Sequence, residues 1–221
     1  MIKAVIFDLD GTILNTIVTI TYFVNQTLQK HGISPINEEE CKMFIGDGAR
    51  KLIERALASK GIADSETLEK ILPEYNAAYD ADPFYLTEKY EGIDKLLGEL
   101  KKRKIKLALL SNKPHSTTVS AAEHFFPEIF SEIFGGRAGV PLKPDPRAAD
   151  DLFKSLGVRA DELIYIGDSG VDMQFGRAIG AAFSLGAGWG FRGTDELLKN
   201  GADRVFESPY NMEKFICEKL L

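Results

Sequence analysis

The sequence predicts an α/β fold in which a doubly wound, mainly parallel β-sheet carries a block of helices inserted after its first strand. Two observations lead to this class. From residue 93 onwards, short apolar runs alternate with helical segments, which is typical of parallel strands joined by right-handed crossovers. Between the first apolar run and residue 85, about seventy residues of helical pattern contain no strand-like segment.

The first predicted strand covers residues 4–7 and is uniformly apolar, as expected of a strand buried on both faces. A helix is predicted at 16–31, where apolar residues recur close to the i, i+3, i+4 spacing and Gly32 ends the pattern. Further helices are predicted at 38–45, 49–60 and 65–79. The helical pattern ends at residues 82–85, DPFY. This predicts a core of residues 1–14 and 86–221 and a helical cap of residues 15–85.

The alternating region supplies the rest of the core. Its predicted strands are 105–110, 133–134, 163–166, 182–185 and 204–206. Its predicted helices are 93–102, 115–125, 146–156, 171–179 and 194–200, with a closing helix from Met212. Ligands of open parallel sheets bind beyond the carboxyl ends of the strands, so the side chains that follow each strand are the candidates for a functional site.

Two carboxylates, Asp8 and Asp10, directly follow the first strand, and the alternation of side chains along a strand places them on the same side. Like charges this close repel unless a cation or a shared proton relieves the repulsion, and a divalent metal is the more productive solution. Gly11 allows the backbone to turn there. The Asp-x-Asp-Gly pattern is also compatible with a surface turn, whereas a calcium loop requires a glutamate at its twelfth position, which is Thr19 here.

Polar side chains also follow or flank the later predicted elements. Ser111 and Asn112 come after the strand at 105–110, Asp168 comes after the strand at 163–166, and Lys143 precedes the proline-rich start of a helix. Each residue alone has an ordinary explanation as a turn residue, a helix cap or a solvated charge. Their joint position at one edge of the sheet favours a chemical role.

These residue types suit phosphoryl transfer, in which a nucleophile must be positioned and the charge on the phosphoryl oxygens neutralised. Asp8 is the predicted nucleophile, which forms an aspartyl phosphate, and Asp10 the predicted acid and base. Asp8, the carbonyl of Asp10 and Asp168 are predicted to hold Mg²⁺, while Asp172 orients a metal-bound water. The predicted phosphate-binding residues are Thr12, Ser111, Asn112 and Lys143.

Four segments resemble the motifs of the haloacid dehalogenase superfamily. They are FDLDGT at 7–12, SNKP at 111–114, KPDP at 143–146 and GDSGVDM at 167–173. Three further segments, at 46–50, 176–178 and 188–193, resemble its phosphoglycolate phosphatase-like branch. The resemblance implies a Rossmann-like core with an inserted helical cap, Mg²⁺, and the residue roles given above.

Asp10 narrows the activity that the resemblance implies, because the dehalogenases of this superfamily lack the second acid; a phosphatase or phosphomutase is expected. Asn15 and Arg137-Ala138 depart from the superfamily pattern at positions where acids are common. We expect a Mg²⁺-dependent phosphatase of a small phosphate monoester, with 2-phosphoglycolate as the first substrate to test. The alternatives are an inorganic pyrophosphatase, a sugar phosphomutase, or a non-catalytic phosphate-binding or interaction protein.

Substrate choice is assigned to the cap, where Arg50 or Lys51 is predicted to meet an anionic group of the substrate; the alternative is an ordinary helix connection with solvated charges. The net charge of −6 argues against nucleic acid as a partner. No apolar run or signal peptide indicates a membrane, so a cytoplasmic protein is expected, as a monomer or homodimer. Cys41 and Cys217 predict neither a disulfide nor a cysteine metal site.

Overall fold

The structure of the protein, a computed structural model, describes residues 1–221, which form two compact units. One unit consists of Met1–Asn15 and Lys89–Leu221, and the other of Thr16–Glu88. The second unit begins one residue later and ends three residues later than the predicted cap, which was placed at 15–85. None of the helices combines the length and the apolar character needed to cross a membrane.

Eight strands are present, and six of them form one sheet. The strands are β1 (Ala4–Phe7), β2 (Leu14–Asn15), β3 (Glu88–Lys89), β4 (Lys106–Pro114), β5 (Glu132–Gly136), β6 (Leu163–Gly167), β7 (Phe183–Ala187) and β8 (Arg204–Phe206). The six-stranded sheet has the order β5-β4-β1-β6-β7-β8, and all of its neighbouring strands are parallel. The prediction of a doubly wound, parallel α/β sheet is therefore confirmed.

Strand β1 lies in the middle of this sheet. Phe7, its last residue, is paired with Leu109 of β4 on one side and with Ile166 of β6 on the other. The backbone N–H of Asp8 extends the pairing by donating to the carbonyl of Ile166 at 2.9 Å. Because these three adjacent strands run parallel, the residues that lie at or beyond their carboxyl ends meet at one edge of the sheet.

The unit of residues 16–88 is mainly helical. Its helices are α1 (Ile17–Lys30), α2 (Glu38–Phe44), α3 (Ala49–Ala58) and α4 (Ser65–Ala81). Helix α2 begins with a capping box, in which the Asn37 side chain accepts from the N–H of Glu40 and the Glu40 carboxylate accepts from the N–H of Asn37, both at 2.8 Å. Phe23 of α1 packs edge-on against Tyr79 of α4, with ring centroids 5.5 Å apart.

The core unit contains six α-helices that flank the sheet. They are α5 (Ile93–Lys102), α6 (His115–Phe125), α7 (Asp150–Leu156), α8 (Gly170–Ala178), α9 (Thr194–Lys199) and α10 (Pro209–Phe215). The single helix predicted at 146–156 is instead a 3₁₀ turn, Pro146–Ala149, followed by α7. Asp145 caps that turn by accepting from the N–H of Arg147 at 3.0 Å, so the chain turns tightly before the α-helix begins.

The end of β4 also differs from the prediction. The strand was expected to stop at residue 110, but it continues to Pro114, so Ser111 and Asn112 lie in its last residues. The pairing of β4 with β5 shifts register between Leu110 and Pro114, which is paired with Gly136. Polar residues at the end of a central strand keep an extended backbone when they lie beside a neighbouring strand. The pattern of apolar residues does not predict this extension of the strand.

Candidate active site

The candidate site lies at the carboxyl edge of the sheet, and Lys143 is at its centre. Its Nζ lies 2.8 Å from Oδ1 of Asp8, 2.7 Å from Oδ1 of Asp172 and 2.9 Å from the hydroxyl of Tyr165. Only 3% of the Lys143 side chain is exposed. Burial alone would lower the pKa of Lys143, but the carboxylates of Asp172 and Asp8 raise that pKa well above its ordinary value. Lys143 is therefore a fixed, buried positive charge.

Tyr165 is a member of this cluster that sequence reasoning missed. It belongs to β6, where its hydroxyl accepts from Lys143 and donates to Oδ1 of Asp172 at 3.0 Å. Its ring packs edge-on against Phe175 of α8, with centroids 5.2 Å apart. Burial and the charge of Asp172 raise the pKa of Tyr165, which keeps the phenol protonated as a donor. A buried tyrosine hydroxyl usually has a hydrogen-bond partner. The presence of Tyr165 in a strand predicted to be fully buried was therefore the signal in the sequence that it contacts a polar group.

Asp172 is held on both of its carboxylate oxygens. Oδ1 accepts from Lys143 and Tyr165, and Oδ2 accepts from the N–H and hydroxyl of Ser169 at 3.1 and 2.6 Å. The Ser169 hydroxyl in turn caps the first turn of α8. With both oxygens engaged, Asp172 is suited to orient its neighbours rather than to bind an ion directly.

Three buried carboxylates converge beside the end of β1. Oxygen atoms of Asp8, Asp168 and Asp172 all lie within 4.8 Å of one another. Together with the Lys143 ammonium they leave a formal charge of −2. Burial and the neighbouring Asp172 carboxylate raise the pKa of Asp8 to about 7, against the attraction of Lys143. Burial and the charges of Asp172 and Asp8 also raise the pKa of Asp168 well above its ordinary value.

This excess of buried negative charge fits a divalent cation. Hard carboxylate oxygens are the ligands that Mg²⁺ prefers, and an ion beside Asp8 and Asp168 would offset the repulsion that raises their pKa values. Asp8 and Asp168 are the residues that would hold it. The ligand predicted from Asp10 is its backbone carbonyl, and that ligand stays a prediction.

The Asp10 carboxylate has a partner of its own. Nζ of Lys113 lies 3.3 and 3.2 Å from its two oxygens, and the two side chains are only 9% and 20% exposed. Lys113 stands in the SNKP segment, but it was not among the predicted site residues. In a sequence, a lysine near a strand end is usually interpreted as a solvated charge. The contact with Asp10 depends on the pairing of β4 with β1, which brings the two side chains together.

The predicted phosphate-binding residues are buried at the same edge. The Asn112 amide accepts from the N–H of Lys143 at 2.8 Å and donates to the carbonyl of Lys143 at 3.0 Å, so it holds the backbone that carries the central ammonium. The Ser111 hydroxyl accepts from the N–H of Lys113 at 3.3 Å, which leaves its O–H to donate. The Thr12 hydroxyl lies 3.5 Å from Oδ1 of Asp168. Their contacts with phosphate stay predictions.

The two cap residues predicted for specificity belong to the other unit. The Arg50 guanidinium forms an ion pair with Glu69, and Lys51 forms one with Glu54 at 2.7 Å. About half of each basic side chain is exposed, 54% for Arg50 and 53% for Lys51. Exposed ion pairs of this kind contribute little to stability. Little free energy is therefore lost if Arg50 or Lys51 exchanges its partner for another anionic group.

Comparisons with known proteins agree with this architecture. The sequence model of the haloacid dehalogenase-like hydrolases matches residues 5–185. A phosphoglycolate phosphatase of Rhodospirillum rubrum is 35% identical over 186 residues, covering 81% of this chain and 77% of that protein. A phosphoglycolate phosphatase of Vibrio parahaemolyticus is 29% identical over 214 residues, covering 94% of this chain and 92% of that protein.

Solved structures share the whole fold. The crystal structure of a predicted phosphatase from Clostridium acetobutylicum superposes with a TM-score of 0.86 at 25% identity, and the alignment covers 99% of both chains. The matched residues 5–185 include all four motif segments and the helical insertion between the first and second of them. The chain therefore belongs to the haloacid dehalogenase-like hydrolase family, in the branch that resembles the phosphoglycolate phosphatases.

Proposed function

We propose that this protein is a Mg²⁺-dependent phosphatase that hydrolyses a small phosphate monoester, 2-phosphoglycolate, through an aspartyl phosphate on Asp8. The observation that carries the proposal is the contact between Lys143 and Asp8. The ammonium is bound to Oδ1 of Asp8, so Oδ2 is the oxygen that attacks phosphorus. In this proposal the same positive charge offsets the negative charge that accumulates on the phosphoryl oxygens.

The reaction takes place in two steps. In the first, Oδ2 of Asp8 forms a bond to phosphorus while the ester P–O bond breaks, and Asp10 gives its proton to the departing alkoxide. In the second, water attacks phosphorus, Asp10 takes a proton from that water, and the bond between Asp8 and phosphorus breaks to release phosphate. Asp8 and Asp168 would hold Mg²⁺, which when bound would neutralise charge at the phosphoryl oxygens. Lys113 holds the Asp10 side chain in place, and its ammonium stabilises the carboxylate that Asp10 becomes once it has given up its proton.

A panel of phosphate esters tests this activity. With Mg²⁺, we expect release of inorganic phosphate from 2-phosphoglycolate with a higher kcat/KM than from sugar phosphates, pyrophosphate or p-nitrophenyl phosphate, and no release after treatment with EDTA. Isomerised sugar phosphate without free phosphate would identify a mutase, and preferred cleavage of pyrophosphate would identify a pyrophosphatase. Binding of phosphate without turnover of any ester would identify a non-catalytic phosphate-binding protein.

The choice of 2-phosphoglycolate rests on the names of the relatives and on the proposed role of the cap. Arg50 or Lys51 binds the substrate carboxylate in this proposal, since a guanidinium matches a carboxylate with two parallel hydrogen bonds. Replacing Arg50 by Ala should raise KM for 2-phosphoglycolate about tenfold, the effect of losing one charge-assisted contact, and leave KM for p-nitrophenyl phosphate nearly unchanged.

Glu69→Gln is the matched control for Arg50→Ala. It removes the same ion pair but keeps the guanidinium, so KM for 2-phosphoglycolate should stay at the wild-type value. An equal rise of KM for both substrates in Arg50→Ala, or the same rise in Glu69→Gln, would show that the ion pair supports the cap and that Arg50 does not select the substrate.

A further inference from the structure

The loop of residues 188–193, with the sequence GWGFRG, has no role in the reaction scheme, but it contacts two parts of the site. The indole N–H of Trp189 donates to the backbone carbonyl of Thr12 at 3.0 Å. The backbone N–H of Phe191 donates to Oδ2 of Asp168 at 2.8 Å. The loop thus joins the turn after β1 to the acid after β6.

Close packing fixes the loop in this position. A Cβ atom on Gly190 would overlap the side chain of Asp168 and the carbonyl oxygen of Gly11. A Cβ atom on Gly11, whose φ is +83°, would overlap the Asp168 carboxylate and the Phe191 ring. Only hydrogen fits at both positions, so the loop backbone lies directly against the carboxylate that the proposed function assigns to Mg²⁺.

The outer end of the loop is also held. Arg192 lies 3.8 Å from Glu196, and the Glu196 carboxylate accepts from the N–H of Gly170 at 3.1 Å. Gly170 is the first residue of α8, the helix whose first turn carries Asp172. The loop is therefore tied to the site at Thr12, at Asp168 and, through Glu196, at the start of α8.

We propose that Trp189 is a positioning residue, which seats the 188–193 loop so that the Phe191 N–H holds Asp168 in the orientation that binds Mg²⁺. This inference rests on the proposed function, because it assumes that Asp168 is a ligand of the ion. Groups that orient a metal ligand change metal affinity by about 10- to 100-fold when they are lost. The loop therefore sets the affinity of the site for Mg²⁺ rather than contributing a ligand.

Two variants remove this arrangement in different ways. Trp189→Phe deletes the N–H donor and keeps an aromatic ring, and we expect it to weaken Mg²⁺ binding about tenfold. Gly190→Ala forces the loop away from Asp168 and should weaken binding at least as much. Gly193→Ala is the matched control, since its added Cβ meets nothing within 4 Å and its φ of −78° suits alanine.

Calorimetric titration of each purified protein with Mg²⁺ gives the dissociation constants without measuring turnover. A second readout uses the tryptophan itself, which is the only one in the chain. Acrylamide should quench Trp189 fluorescence more strongly in Gly190→Ala than in the wild type or in Gly193→Ala. A role in stability alone would lower the melting temperature of Trp189→Phe and Gly190→Ala while leaving their dissociation constants for Mg²⁺ unchanged.

The outcomes separate this inference from the proposed function. If the wild type binds Mg²⁺ and both variants bind it equally well, the positioning role of Trp189 is wrong and the proposed function stands. If the wild type itself binds no Mg²⁺, the proposed metal dependence and the positioning role both fail. Weaker binding in both variants, with a wild-type dissociation constant for Gly193→Ala, supports the inference.

Discussion

Replacing Asp8 by Asn should lower kcat at least about 10⁴-fold with every phosphate ester, because an amide oxygen does not form the acyl phosphate and loss of a nucleophile removes most of the catalysis. The amide has nearly the same shape as the carboxylate and removes one charge from a buried cluster with an excess of negative charge. We therefore expect no loss of melting temperature. Steady-state kinetics and thermal unfolding measure the two effects.

A chemical readout identifies the covalent step directly. Rapid acid quench with ³²P-labelled substrate should label the wild-type protein and leave Asp8→Asn unlabelled. Asp161→Asn is the control for a change of charge alone, because its side chain is 66% exposed and pairs only with Arg159 on the surface. Labelling or appreciable turnover in Asp8→Asn would mean that another group attacks phosphorus.

Replacing Lys143 by Met should affect both activity and stability. The change leaves Asp8 and Asp172 buried without their shared ammonium, and breaking a buried ion pair costs about 3–5 kcal/mol. For a protein of this size, that corresponds to a fall in melting temperature of about 10 °C in Mg²⁺-free buffer. Loss of the positive charge beside the phosphoryl group should lower kcat about 10³-fold.

Two further variants show which property of Lys143 is responsible for the effects of Lys143→Met. Tyr165→Phe removes one hydrogen-bond partner and keeps the ammonium, so we expect a loss of about tenfold in kcat, with a smaller change in melting temperature. Lys143→Arg should not restore activity, because a planar guanidinium does not fit a site built around one compact ammonium. Wild-type kcat and melting temperature in Lys143→Met would contradict the central role of this residue.

The sheet was predictable because its central strands contain short apolar runs that are regularly separated by helices. In strand β1 all four residues are buried, and those in β6 are buried throughout, so the apolar run and the strand coincide. In β4 they do not coincide. Ser111 and Asn112 remain extended because the pairing of β4 with β5 continues to Pro114. A strand predicted from hydrophobicity, by contrast, ends at the first polar residue.

The positions of the candidate site residues were predictable for the same reason, since the rule about carboxyl ends needs only the strand ends and a parallel sheet. Their partners were not. The Asn112 amide bonds to the backbone of Lys143, 31 residues later, and the Lys113 ammonium meets Asp10, 103 residues earlier. Tyr165 looked like one more apolar residue of β6. Side-chain pairs across such distances depend on the packing of several strands at once, which no local pattern contains.

The central place of β1 has a consequence for the way the chain folds. Its partners are residues 106–109 and 163–166, so the strand that precedes Asp8 is translated long before either neighbour exists. Pairings this distant are slow to form because a long loop must close first. The unit of residues 16–88 has its contacts nearby and is free to fold as it leaves the ribosome. Strand β1 is thus made early but paired late, and nascent chains that end before residue 163 carry an apolar strand with one unpaired edge.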